Sequence, residues 1–281
     1  MSKTKVQPTK GFVTVATKRK QFLIGADNLK ESLLDHYPDA KITLFTEQYF
    51  IDDPECHVYF RDFDQVLPTP SNTNREKMWG MANSPYDLTF YMDADIEIRH
   101  DDIANVFDHL EDGKYDMVYV NLTKEGARHF AEWEWGPNLY DDGWRGVPDH
   151  LAHCGGVALY DMRNPLMKDF MTDWYTLFLK QRNGEWNPPE FDYIRKGNFR
   201  QWDQLTLWWL IYHSPKYKSL KWKFFEDNYR WNYFTSFQFN TDGSHNCHLV
   251  DPNRDYWKTN PTPVVIHFSS WMDKYGDKGF L

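Results

Sequence analysis

The chain has 281 residues, of which 41% are hydrophobic and 26% charged, enough to bury a large core and wrong for a disordered protein. A net charge of −9 excludes a chain-wide basic field of the kind that draws in nucleic acid. Aromatic residues reach 18%, with 13 Trp, an excess that serves core packing and the stacking of sugars or bases alike.

Residues 1–10 are polar and read as a loose tail. Residues 12–16, Phe-Val-Thr-Val-Ala, are short, β-branched and bounded by Gly11 and a charged run, which predicts a buried strand. A helix is expected over 22–36, with Leu29, Leu33 and Leu34 on one face, and a second strand over 41–45 after the Tyr37-Pro38-Asp39 turn. The same alternation predicts a helix over 76–83, a strand over 88–92, a helix over 103–110 and a strand over 116–121. Residues 131–150 mix Gly, Pro, Trp and acids without a period, as a long loop does. A strand at 157–160 and a helix at 165–180 follow, then an irregular stretch at 183–200, an aromatic helix at 204–212 and a last strand at 264–266. Strands alternating with helices imply an α/β fold: a Rossmann-like, mainly parallel sheet covered on both faces, with ligands at the carboxyl ends of the strands. No internal repeat interrupts it, so a single domain over 11–281 is expected.

Cys56, Cys154 and Cys247 show no CxxC spacing and leave an odd thiol, which reads as a reducing compartment. Neither an apolar leader nor a run of about 18 apolar residues is found, so a soluble, cytoplasmic protein is expected (host cytoplasm for a viral one).

The sharpest chemical signal is the apolar strand Leu88-Thr-Phe-Tyr-Met that runs into Asp93-Ala94-Asp95. Positions i and i+2 of an extended chain point the same way, and two convergent carboxylates repel unless a cation or proton lies between them. Hard oxygen ligands of this kind suit Mg²⁺ or Mn²⁺, which then bridges to phosphates. His267 ends the apolar run 264–266, and an imidazole beside the two carboxylates favours Mn²⁺. By itself such a histidine is more often a structural hydrogen-bonding residue; its position relative to the other motifs shifts the balance towards a ligand. His245-Asn-Cys247-His248 invites a zinc reading but lacks a second ligand pair at zinc spacing. The chain contains no GxGxxG, P-loop or GxSxG motif.

With these residues in order, nearly the whole chain resembles glycogenin and its relatives, the family 8 retaining glycosyltransferases of the GT-A fold. GFVTVATKRKQFLIGA resembles the family's first strand and donor-base loop, with Thr14, Ala16, Thr17 and Phe22 in the base-cradling places. YMDADI resembles its metal motif, and Lys77 stands where the family carries a donor-contacting basic residue. VPDHLAHCGGVALY, with Gly155 and Gly156, Trp202-Asp203-Gln204 and VVIHFSSWMDKYG, with Lys274, resemble its remaining motifs. Cys154 and Trp208 replace residues that are usually Asn, the terminal motif lacks its Lys-Pro-Trp ending, and Lys274 sits one place late.

The resemblance implies metal-dependent transfer of a sugar from a nucleoside-diphosphate sugar, with UDP as the expected carrier, to a hydroxyl acceptor with retention. It implies that 11–121 binds the nucleotide sugar and 122–281 faces the acceptor. Asp93, Asp95 and His267 would hold Mn²⁺ or Mg²⁺. Thr14, Ala16, Thr17, Phe22, Lys77, Asp93, Ala94, Gly155, Gly156 and Lys274 would bind the donor, and Asp203, Gln204 and Lys77 would carry the catalytic step. The loop 131–146, with Trp133, Trp135 and Trp144, is expected on the acceptor side. A glycan, a protein side chain, a metabolite or a hydroxymethylated DNA base are acceptors compatible with that core. A nucleotidyltransferase would need a Gly-rich triphosphate loop that ATKRKQF does not provide, and a catalytically inactive sugar-nucleotide-binding protein is the remaining alternative.

Overall fold

The computed structural model of the protein describes residues 7–71, 73, 75–121, 153–194, 203–235 and 263–268. The expected first unit is present: β1 (Lys10–Ala16), α1 (Lys20–His36) and β2 (Ile42–Thr46), with the two strands parallel. Leu29 and Leu33 of α1 are buried as their spacing predicts, while Leu34 packs at the margin of the same apolar cluster. After α2 (Gln48–Asp52) the chain adds β3 (Gln65–Pro68), a short parallel strand at the sheet edge. Its alternation is too brief to separate it from loop in the sequence.

From there α3 (Lys77–Ala82) leads to β4 (Leu88–Met92), which returns to the other side of β1. β5 (Ile96–Ile98) leaves the main sheet, and β6 (Met117–Asn121) rejoins it. β7 (His153–Asp161) runs antiparallel between β4 and β6, and β8 (Trp222–Phe224) pairs parallel to β6 at the far edge. The resulting order is β3-β2-β1-β4-β7-β6-β8.

Alternate residues of the central strands feed two cores. Phe12, Phe90, Val118 and Leu159 join the cluster under α1, whereas Val13, Tyr91, Tyr119 and Tyr160 join the one under α3 and the next helix, α4 (Pro165–Asn183). This two-sided burial makes the strand sequences near-continuous apolar runs. α4 begins on Asn164, whose side chain accepts from the Leu166 N–H at 3.0 Å, with Pro165 in the first turn. It stops at Gly184, in the left-handed region at φ 76°. α5 (Asp203–Tyr212) packs against α4. Then α6 (Asn228–Trp231), β9 (Tyr233–Thr235) and β10 (Val265–Phe268) complete a second, small sheet in the order β5-β10-β9. Among the described residues no helix is long and apolar enough to cross a membrane.

The helix expected at 103–110 is a 3₁₀ segment, Asp101–Gly113, broken where Glu111 and Asp112 take positive φ. His109 on this segment meets the rings of Phe225 and Trp231, each at 4.9 Å and edge-on. Burial, aided by the charge of Lys223, lowers its pKa from 6.5. The unfolded chain therefore takes up this proton at a higher pH than the folded one. His109 stabilises the fold fully above about pH 6.5, and that stability falls as the pH drops below it. The expected outcome is a melting temperature that declines below pH 6.5, with a weaker decline in His109→Gln, read by circular dichroism across pH.

Candidate active site

The strand order reverses between β1 and β4: β1 continues to β2 on one side, and β4 arrives on the other. Crevices of this kind, at the carboxyl ends of strands, are where open α/β sheets bind ligands. Asp93 follows β4 directly at that edge. Its backbone N–H donates to the Gly156 carbonyl at 2.8 Å, and Tyr91 Oη donates to Asp93 Oδ1 at 2.5 Å. Burial first, then the neighbouring Asp93 charge, holds the Tyr91 phenol well above its ordinary pKa, so it stays a donor.

His267 arrives from the far end of the sequence. β10 pairs antiparallel with β5 in the register His267↔Ile96, which sets the imidazole beside Asp95. Its Nε2 is 3.1 Å from Asp95 Oδ1 and 4.0 Å from Asp93 Oδ2. One ligand atom from each of Asp93, Asp95 and His267 lies within 4.8 Å of the others. Two carboxylates and an imidazole form a donor set suited to Mn²⁺ or Mg²⁺. Gly156 supports the fit: a Cβ there would stand 2.6 Å from both Asp93 Oδ2 and His267 Cε1. The strand behind the cluster is bare where these two ligands need room.

A second group adjoins the first. Lys77, the first residue of α3, has Nζ 3.1 Å from Asp203 Oδ2 and 3.7 Å from Asp93 Oδ2. Arg75 Nη1 donates to Asp203 Oδ1 at 2.9 Å. Asp203 begins α5 and is completely buried. Burial pushes its pKa up, but Lys77 and Arg75 outweigh that and hold it below the ordinary carboxylate value. Gly155 allows the contact, since a Cβ there would meet Asp203 Oδ2 at 2.9 Å and Lys77 Nζ at 3.3 Å. Lys77 thus joins Asp203 to Asp93.

The remaining expected residues fall in two places. Thr14, Ala16, Thr17 and Ala94 are buried around the end of β1, and Phe22 is half-buried against the cluster that contains Ala16 and Ala94. Thr17 Oγ1 donates to the Thr73 carbonyl at 2.7 Å, tying this end of β1 to the segment that carries Arg75 and Lys77. Gln204 follows Asp203 and is partly exposed. Lys274, Trp202, the loop 131–146 with its Trp133, Trp135 and Trp144, and His245, Cys247 and His248 lie outside the described residues.

No family model and no curated protein matches the sequence. Solved structures do match the fold. The glycosyltransferase GlyE of Streptococcus pneumoniae TIGR4 is 15% identical, with a TM-score of 0.52 over 97% of this chain and 57% of that one. WbbM, a bifunctional glycosyltransferase, is 11% identical, with a TM-score of 0.52 over 95% of this chain and 47% of that one. The galactosyltransferase LgtC, solved with donor and acceptor sugar analogues, is 14% identical, with a TM-score of 0.50 over 92% of this chain and 87% of that one. This chain has the GT-A glycosyltransferase fold. It spans about half the length of the first two proteins.

Arg75, Tyr91 and Asn232 belong to the site and were not singled out by the sequence reading. Tyr91 had a signal, since it is two residues before Asp93 and points the same way in an extended strand. Arg75, just ahead of the expected helix and of Lys77, carries no pattern of its own in the sequence; Glu76 and Lys77 beside it are buried. Asn232 carries no pattern in the sequence; it accepts from His267 only because β9 lies beside β10.

Replacing Gly156 with Ala is expected to displace Asp93 and His267 and to weaken any binding of a divalent cation by this cluster, titrated as Mn²⁺ in calorimetry. Overpacking of this kind costs about 1–3 kcal/mol. Binding equal to that of the unmodified protein would show that the cluster has slack there.

Proposed function

We propose that the protein is a metal-dependent glycosyltransferase that moves a sugar from a nucleoside-diphosphate sugar, with UDP the expected carrier, to a hydroxyl acceptor. The observation that carries this reading is the meeting of Asp93, Asp95 and His267 beside the Lys77–Asp203–Arg75 ion pairs at the strand-order reversal. Three carboxylates against two cations leave that cluster negative by one, and a divalent cation makes it positive by one. A diphosphate needs such a reversal before it can enter.

In the reaction the bond from the anomeric carbon to the diphosphate oxygen breaks and a bond to the acceptor oxygen forms. The acceptor's proton passes to the departing phosphate. Asp93, Asp95 and His267 would hold Mn²⁺ or Mg²⁺. When bound, the ion neutralises the charge that builds on the leaving group. Lys77, fixed between Asp203 and Asp93, adds positive charge on the same side, and Lys274 is assigned to the diphosphate by the resemblance. Asp203 has an oxygen on each of two cations, so its part is to orient Lys77 and Arg75. Gln204, partly exposed beside it, is assigned to the sugar hydroxyls. The base is assigned to the end of β1, around Thr14, Ala16, Thr17 and Phe22. Retention follows the family resemblance.

For the acceptor, a glycan, a protein side chain or a small metabolite is favoured over a hydroxymethylated base in DNA, because the net charge of −9 opposes a polyphosphate partner. A sugar-nucleotide-binding protein without activity would share the donor site, and donor hydrolysis separates the two.

Asp93→Asn and Asp95→Asn are each expected to keep the fold and to weaken Mn²⁺-dependent UDP binding in calorimetry. The loss should exceed the roughly 10–100-fold typical of removing an outer-shell partner. Donor hydrolysis should fall with it. Unchanged binding and hydrolysis in both variants would sink the reading.

A further inference from the structure

His267 has two ring nitrogens with different neighbours. Nε2 faces Asp95 Oδ1 at 3.1 Å, whereas Nδ1 lies 3.1 Å from Asn232 Oδ1. Both residues are closed off from water, Asn232 at 4% exposure and His267 at 5%. An amide oxygen only accepts, so in this arrangement Nδ1 carries the proton, which leaves Nε2 as the nitrogen able to turn a lone pair to a divalent ion held between it and the two carboxylates. That is the tautomer a metal ligand needs at Nε2.

The asparagine is held firmly. The preceding residue, Trp231, stacks on Phe225 at 5.0 Å and meets Phe90 edge-on at 6.3 Å. The Val264 N–H donates to the Arg230 carbonyl at 2.7 Å, which ties α6 to the start of β10. β9, which begins immediately after Asn232, runs parallel to β10 with His267 opposite Phe234. Asn232 Nδ2 is buried and has no hydrogen-bond partner among the described residues. The amide therefore gives up a donor to keep its oxygen on His267, an arrangement that costs stability unless the oxygen has a task.

We infer that Asn232 is a positioning residue that locks His267 in the Nδ1–H tautomer, so that Nε2 serves the divalent ion of the proposed site. The inference rests on the glycosyltransferase reading for the identity of that ion, and its own content is the proton's place on the ring. Asn232→Leu, which keeps a side chain of similar size, is expected to bind Mn²⁺ with UDP roughly 10–100-fold more weakly than the unmodified protein, by calorimetry. Asn232→Asp retains an acceptor and is expected to restore binding to at least the unmodified level. A merely structural asparagine would give the same loss in both variants, and that result overturns the inference.

A second measurement needs no Asn232 variant. In protein labelled with ¹⁵N-histidine, with the His267 signal assigned through His267→Gln, long-range proton–nitrogen correlation reads the tautomer directly. A protonated Nδ1, kept when Mg²⁺ and UDP are added, is expected; a bare Nδ1 overturns the inference. Absence of Mn²⁺ binding by the unmodified protein would remove the metal reading and leave the tautomer result standing. A bare Nδ1 with intact Mn²⁺ binding would do the reverse.

Discussion

A carboxylate without access to water has to keep its countercharges within reach, and Asp203 is such a carboxylate. Desolvation works against its charge; Lys77 and Arg75 win that contest and are held in place by it. The consequence is mechanical as well as electrostatic. α5, which begins at Asp203, cannot part from the start of α3 without stranding a buried ion, and Lys77 cannot swing away from Asp93. The network thus ties the approach to β4 to the second half of the chain. Glu76 reinforces it, accepting from the Ser71, Thr73 and Tyr175 hydroxyls while wholly buried.

The small sheet solves a different problem. Asp93 and Asp95 follow one strand, but the imidazole beside them comes from the far end of the sequence. By leaving the main sheet at β5 and pairing with β10, the chain sets His267 opposite Ile96, one residue from Asp95. Asp93 and His267 also have protein-side neighbours: Tyr91 on Asp93, Asn232 on His267, and Gly156 leaving room behind both. Preorganisation of this kind would lower the cost of ordering the ligands of the proposed metal site.

Much of this was legible in the residues. The strands β1, β2, β4 and β6 stand out because burial on both faces makes them apolar runs, and α1 and α4 because their apolar spacing is helical. Asp93 and Asp95 were readable as residues that follow a strand end, whereas His267, expected at the end of a strand of the main sheet, lies within β10 of the small one. β3, β5, β8 and β9 were missed, as they are only three or four residues long and get their pairing from tertiary context. The reversed direction of β7 also escaped, since apolar runs carry no direction. Arg75 and Asn232 escaped for a related reason: each matters through a partner far away in sequence, Asp203 and His267.

That reversal of β7 has a topological effect. Because β7 runs against β6, with Asn121 opposite His153, the chain leaves β6 and enters β7 at one and the same edge, the edge that holds Asp93. In a purely parallel sheet the connection would have to travel back to the opposite edge, and its length would be set by that span. Here the end of β6 and the start of β7 are neighbours at the edge where Asp93 stands, so the pairing of the two strands sets no minimum length on the chain that joins them.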